Sequence, residues 1–316
     1  MNPALQALGY GPEDRVVVFH CDDIGVYQAT LPAYEHLLDA NIITSASAMV
    51  PCPWFEATAQ FYQKHPDIDL GIHLTLTSEW PSYPWRPLLP HARSTGLVTE
   101  RGFMPPQPEP IWHQADMQAV HAEIRAQIHH ALASGINPSH FDSHMLAMIG
   151  ASTLPVMHQL ALEHQCAVMA MSPHCMNTSP WARAYYNLSN CEACTPLTER
   201  YPDVLDTAIA MQNDGFALFD SFLAMSYTEP NNRVEQAQKL LAELPPGLHF
   251  FMLHPAMDTP ELRAVCPGVD WQVRVADYQA FIDPRLAKAI RDLGIHSISF
   301  QPLQALLMAH QSTLSL

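Results

Sequence analysis

Residues 16–25 read V-V-V-F-H-C-D-D-I-G, a short β-branched apolar run that leads into two adjacent carboxylates and stops at a glycine. Such a run is expected as a buried strand. In α/β proteins, the ends of strands are where ligands and catalytic groups collect. Three further segments repeat the arrangement: G-I-H-L-T-L-T at 71–77, H-F-D-S-H at 140–144 and M-L-H-P-A at 252–256. Each sets a His or Asp at the end of a strand-like run.

Outward from these segments the periodicity alternates. Helical spacing is expected over 26–40, 54–64, 116–134, 154–164, 204–213, 232–244, 277–293 and 303–310. Strands are expected at 42–50, 70–76, 138–142, 167–171, 216–219, 248–253 and 296–300. Strands alternating with helices imply a parallel sheet. Seven or eight such units favour an α/β fold of the (β/α) barrel type, complete or imperfect, over an open doubly wound sheet. No G-x-G-x-x-G follows the first strand, which argues against a dinucleotide fold. Residues 78–115 break the rhythm with a Pro-rich, Trp-containing stretch, read as an irregular insertion. The rest is expected to be one domain spanning 1–316.

Composition narrows the partners. A formal charge of −16 argues against nucleic acid and anionic membranes, which need Lys/Arg patches. No apolar stretch reaches the length of a bilayer span, and the N-terminus lacks the pattern of a signal peptide. Seven scattered Cys do not suggest a disulfide framework and fit a reducing cytoplasm. Cys191 and Cys194 form a lone C-x-x-C, read as two loop thiols rather than a zinc or redox pair.

The chemistry rests on a few side chains. Asp22 and Asp23 permit a division of labour: one carboxylate binds a cation while its neighbour takes a proton from water. His73 shares a strand face with Gly71 and Thr75, opposite four aliphatic neighbours. His140, Asp142 and His144 alternate and would point one way if the strand extends that far. Burying such a cluster without a ligand or a connected network is costly. His254, before Pro255, is placed to act as a general acid.

Together the segments resemble the YdjC-like (ChbG-type) carbohydrate deacetylases, relatives of the polysaccharide deacetylases. That family shows a D-D-F-G-like segment, a G-x-H-x-x-L-T segment, an H-x-D-S-H segment and a late H-P segment, and all four occur here in order. The I-I-T-S-A-S-A-M-V run at 42–50 and the 277–295 region extend the resemblance over nearly the whole chain. It implies ligation of one divalent metal ion, zinc or magnesium, by Asp23, His73 and His144. It also implies Asp22 as general base and His254 as general acid. His140 and Asp142 are expected to orient His144. The chain departs from the family at Ile24, and at Met145–Met148 where further His residues are usual.

The expected function is removal of an N-acetyl group from an amino sugar or short oligosaccharide, a small acetylated sugar being the substrate. Trp80, Trp85 or Trp112 could stack on sugar rings or pack against the barrel. The rival readings are a metal-dependent amidase or esterase acting on a non-sugar substrate, and a non-catalytic carbohydrate-binding relative. Assembly into a homo-oligomer is left open.

Overall fold

The computed structural model describes residues 2–174 and 202–314. Cys191 and Cys194 lie outside the described residues. Eight parallel strands form the centre: β1 Arg15–Ile24, β2 Ser45–Ala48, β3 Leu70–Leu74, β4 His140–Ser143, β5 Ala167–Val168, β6 Ser221–Ala224, β7 Gly247–Leu253 and β8 Ile295–Ser297. The ladder runs β5-β4-β3-β2-β1-β7-β6, with β8 also paired to β1. A single parallel bridge between Met171 and Phe219 links the far edge to the approach of β6. The architecture is an imperfect (β/α) barrel.

β1 is the seam. It pairs with β7 from Arg15 to Cys21 along one side. Its other side is shared, by β8 at Arg15–Val17 and by β2 from His20 onward. Beyond Arg15 every residue of β1 is buried, and so is all of β7. Strands covered on both faces are expected to be apolar along their length. Lower in the barrel the rings of Phe219, Phe250 and Phe300 fill the interior, with centroids 5.5–6.0 Å apart. His20 and His140 pack on this aromatic floor; His140 stacks on Phe300 at 3.8 Å.

Gly71 on β3 makes room for that stack, because a Cβ there would overlap the His140 ring and carbonyl oxygen. A second apolar cluster joins Val26, Tyr27, Met49, Ala256, Leu262 and Val275 to Trp80 and Trp85 of the insertion. The insertion is irregular apart from the 3-10 turn Arg93–Thr95 and the helix Glu109–Gln114. It is tied down by Glu123, a fully buried carboxylate that accepts from the Leu88 and Leu89 amides at 2.9 and 3.0 Å.

Three expectations about elements need correction. The first strand does not stop at Phe19 but continues to Ile24, so both Asp residues lie within it. The sixth strand begins at Ser221, not Phe216. The 216–219 run is buried, yet Phe219 bonds to Ala170 and the ladder with β7 starts only afterwards. Burial alone cannot separate a core-lining connector from a strand. The helix expected over 277–293 is two helices, Asp270–Phe281 and Pro284–Asp292. Pro284 has no N–H to continue the first, and Asp283 caps the second through the Arg285 amide at 2.8 Å.

Candidate active site

Successive strand residues face opposite sides of a sheet, so adjacent Asp residues should diverge. Here they do not. The β1–β2 register shifts between Cys21 and Ile24, and Asp23 adopts a left-handed backbone with φ of 63°. A bulge of this kind re-aims a side chain. Both carboxylates consequently reach His73 Nε2, Asp23 at 3.4 Å and Asp22 at 3.8 Å.

Asp23, His73 and His144 converge. Oδ1 of Asp23 lies 3.1 Å from His144 Nδ1, and one ligand atom from each residue falls within 4.8 Å of the others. The other end of each side chain is held. Arg274 Nη1 donates to Asp23 Oδ2 at 2.8 Å. Asp142 Oδ2 lies 2.9 Å from His73 Nδ1, because β3 and β4 are registered with His73 opposite Asp142. Glu79 Oε2 lies 3.0 Å from His144 Nε2.

Two imidazoles and a carboxylate whose inward atoms face one another, each tethered outward, is a donor set that fits a divalent ion. Asp142 also belongs to groups with His20 and His140 and with Asp22 and His73. Its Oδ2, however, already accepts from Ser47 at 2.8 Å and faces His20 Nε2 at 3.1 Å.

The charges follow the geometry. Burial would raise Asp23, but Arg274 and His144 hold its carboxyl well below the usual range. Burial would lower His144, yet Glu79 and Asp23 push it up to about 9. His73 is likewise raised against burial, chiefly by Asp142 and Asp22. Asp22 differs: burial raises it to about 7, partly offset by His73 and His20. Its Oδ1 is buried without a hydrogen bond, the nearest imidazole being His20 Nε2 at 3.4 Å. His254 Nε2 stands 3.9 Å from both Asp22 Oδ2 and Asp23 Oδ2, beside the Tyr227 ring at 5.6 Å. Burial lowers it to about 3 despite the attraction of Asp23.

Asp22, Asp23, His73, His144 and His254 therefore meet at one end of the barrel. The expectation that His140 and Asp142 orient His144 is corrected. Asp142 serves His73 across the strand pair. His140 turns its Nδ1 to Ser139 at 2.8 Å and to Asp69 at 3.5 Å, away from His144. Trp80 and Trp85 are buried, Trp80 under Arg274 at 5.0 Å and Trp85 beside His144 at 5.7 Å. Trp112 donates to the Ala147 carbonyl at 2.9 Å. Packing accounts for all three. Glu79 and Arg274 were not foreseen; the one available cue was that Glu79 follows the His73 strand within a few residues.

The YdjC-like protein family model matches residues 16–292. A carbohydrate deacetylase of Thermus thermophilus is 30% identical over 91% of this chain and 94% of its own length. A carbohydrate deacetylase of Vibrio parahaemolyticus is 30% identical over 47% of this chain and 56% of its own length. In fold, the chain resembles an Enterococcus faecalis V583 protein described as a candidate for cellobiose-phosphate cleavage. The TM-score is 0.72 at 20% identity, covering 92% of this chain and 99% of that one.

Proposed function

Since this chain belongs to the YdjC-like family, we propose that it is a metal-dependent hydrolase that removes the N-acetyl group from an amino sugar or short oligosaccharide. The observation that carries the reading is the meeting of Asp23 Oδ1, His73 Nε2 and His144 Nδ1, with Asp22 and His254 within 3.9 Å of the same carboxylate–imidazole group. The Thermus relative named a carbohydrate deacetylase supports the sugar substrate. The ion is zinc or magnesium, and two imidazole donors suit zinc better than magnesium.

When bound, the ion polarises the acetamide carbonyl and lowers the pKa of water. The chain's own residues then do the following. Asp23, His73 and His144 would hold the ion. Asp22, whose carboxyl titrates at about 7 in the metal-free site, accepts the proton of the attacking water. The departing amine needs a proton. His254 is neutral in the resting site and 3.9 Å from Asp22, so it is placed to carry that proton across. Four described Cys (21, 52, 166 and 266) are free and buried, which suits a reducing cytoplasm. Among the described residues no helix is long and apolar enough to cross a membrane.

The test is acetate release from a panel of N-acetylated sugars and simple acyl amides, with chelator and with added zinc or magnesium. Release from sugars that chelator abolishes and metal restores is expected. Release confined to non-sugar amides, or sugar binding without acetate at full metal occupancy, overturns the proposal.

A further inference from the structure

A ligating imidazole must present a bare nitrogen to its ion, so its proton belongs on the far nitrogen. A carboxylate hydrogen-bonded there fixes both the tautomer and the ring direction. His73 obtains this carboxylate from the barrel itself, because Asp142 faces it across β3 and β4 and is 1% exposed. His144 has no such neighbour. It follows the end of β4 and opens a turn in which Met145 and Leu146 are both left-handed, with φ of 48° and 58°.

The matching carboxylate for His144 comes from the other side of the site, from the first residues of the insertion. Glu79 Oε2 lies 3.0 Å from His144 Nε2. The backbone around Glu79 is held for this purpose by contacts within the insertion. Ser78 donates its amide to the Pro105 carbonyl at 2.9 Å, and its hydroxyl accepts from the Trp85 amide at 3.0 Å. The Trp85 ring then closes on His144 at 5.7 Å.

Resting on the metal centre of the preceding section, we propose that Glu79 is a positioning residue that holds His144 ready to ligate. The Pro-rich insertion is thereby part of the metal centre, not an appendage to the barrel. Linkage is reciprocal: if docking of the insertion strengthens metal binding, metal binding must favour the docked insertion.

The test uses the full chain, its Glu79→Ala and Glu79→Gln variants, and zinc or magnesium ions as the probe. Glu79→Ala should weaken metal affinity ~10–100-fold, the usual weight of such a partner. Glu79→Gln still accepts a hydrogen bond from Nε2 and should recover part of that loss. Metal should also slow amide exchange over residues 79–105 in the unsubstituted protein and much less in Glu79→Ala. Metal affinity within twofold of the parent in Glu79→Ala overturns the proposal. So does a fall in turnover with affinity unchanged, which would put Glu79 on the substrate instead. Failure of the unsubstituted protein to take up either ion overturns the metal centre as a whole, whereas the variants test Glu79 alone.

Discussion

Arg274 grips Asp23 by one carboxylate oxygen only: Nη1 donates to Oδ2 at 2.8 Å while Oδ1 faces the two imidazoles. The guanidinium is itself held over Trp80 and Tyr27. The pairing leaves a single inward oxygen, so Asp23 is set up to bind an ion through one atom. It also neutralises one of two neighbouring buried carboxylates, and the two Asp residues can then differ in charge state.

That difference predicts separable variants. Asp22→Asn should keep metal uptake near the parent level while turnover falls on the order of 10²–10⁴-fold, the weight of a general base. Asp23→Asn should lose metal. It should also cost stability, about 3–5 kcal/mol, because Arg274 is left buried without its counter-charge. Metal analysis and thermal unfolding of the two proteins decide this; equal metal loss in both would defeat the division of roles.

Metal uptake should release protons. His144, raised to about 9, and His73, also raised, carry protons in the metal-free fold at neutral pH. An ion must displace them, so affinity should climb as pH rises through neutrality toward about 9. The sign for stability is opposite. The stabilisation these imidazolium groups give the metal-free fold is full below the ordinary His range and is lost as pH rises through the raised values. Calorimetric titration in buffers of different ionisation heat measures the release, and pH-independent uptake would contradict the reading.

Gly71→Ala should be among the most damaging small changes in the barrel. The added methyl meets the His140 ring and backbone on the neighbouring strand, and neither can step aside while the ring stacks on Phe300. Overpacking of this sort costs ~1–3 kcal/mol or more. A melting temperature equal to the parent's would show that β4 moves more freely than its burial implies.

His254→Ala should lose far more activity on an N-acetyl sugar than on an activated acetate ester, because only the amine needs a proton to leave. Metal content should be unchanged, as its Nε2 lies 3.9 Å from the nearer oxygens of both Asp22 and Asp23 and is no part of the converging trio. Equal losses on both substrates would reduce His254 to a wall of the pocket.

The residues read most easily from sequence were those that end apolar runs. Asp22, Asp23, His73, His144 and His254 each follow or interrupt a strand signal, and all five meet in the folded chain. What escaped depended on register and on loop path. Asp142 stands two positions from His144 in sequence, which suggests it as that residue's partner, but strand register sets it opposite His73. Arg274 is one charge on a helix with no motif around it, and its role depends on where that helix docks. Trp80 and Trp85 carry no local sign that they are buried. Asp283-Pro284 does carry a local sign of the helix break, a cap followed by a residue that cannot continue a helix, beneath an amphipathic spacing that runs on across it.

The position of β1 bears on how the molecule is made. Its ladder partners β7 and β8 are distant from it in sequence, and so is Arg274, whose charge Asp23 needs. Arg274 stands 251 residues from Asp23 in sequence, so part of what pins the acidic pair is made long after it. Contacts so distant in sequence are slow to form, since a long loop must close before they reward the chain. Until β7 is made, β1 has β2 on one side and leaves its other edge open. Holding that strand apart from others of its kind is a task for the cell's folding helpers, and the yield of recombinant protein should respond to their supply and to lowered growth temperature.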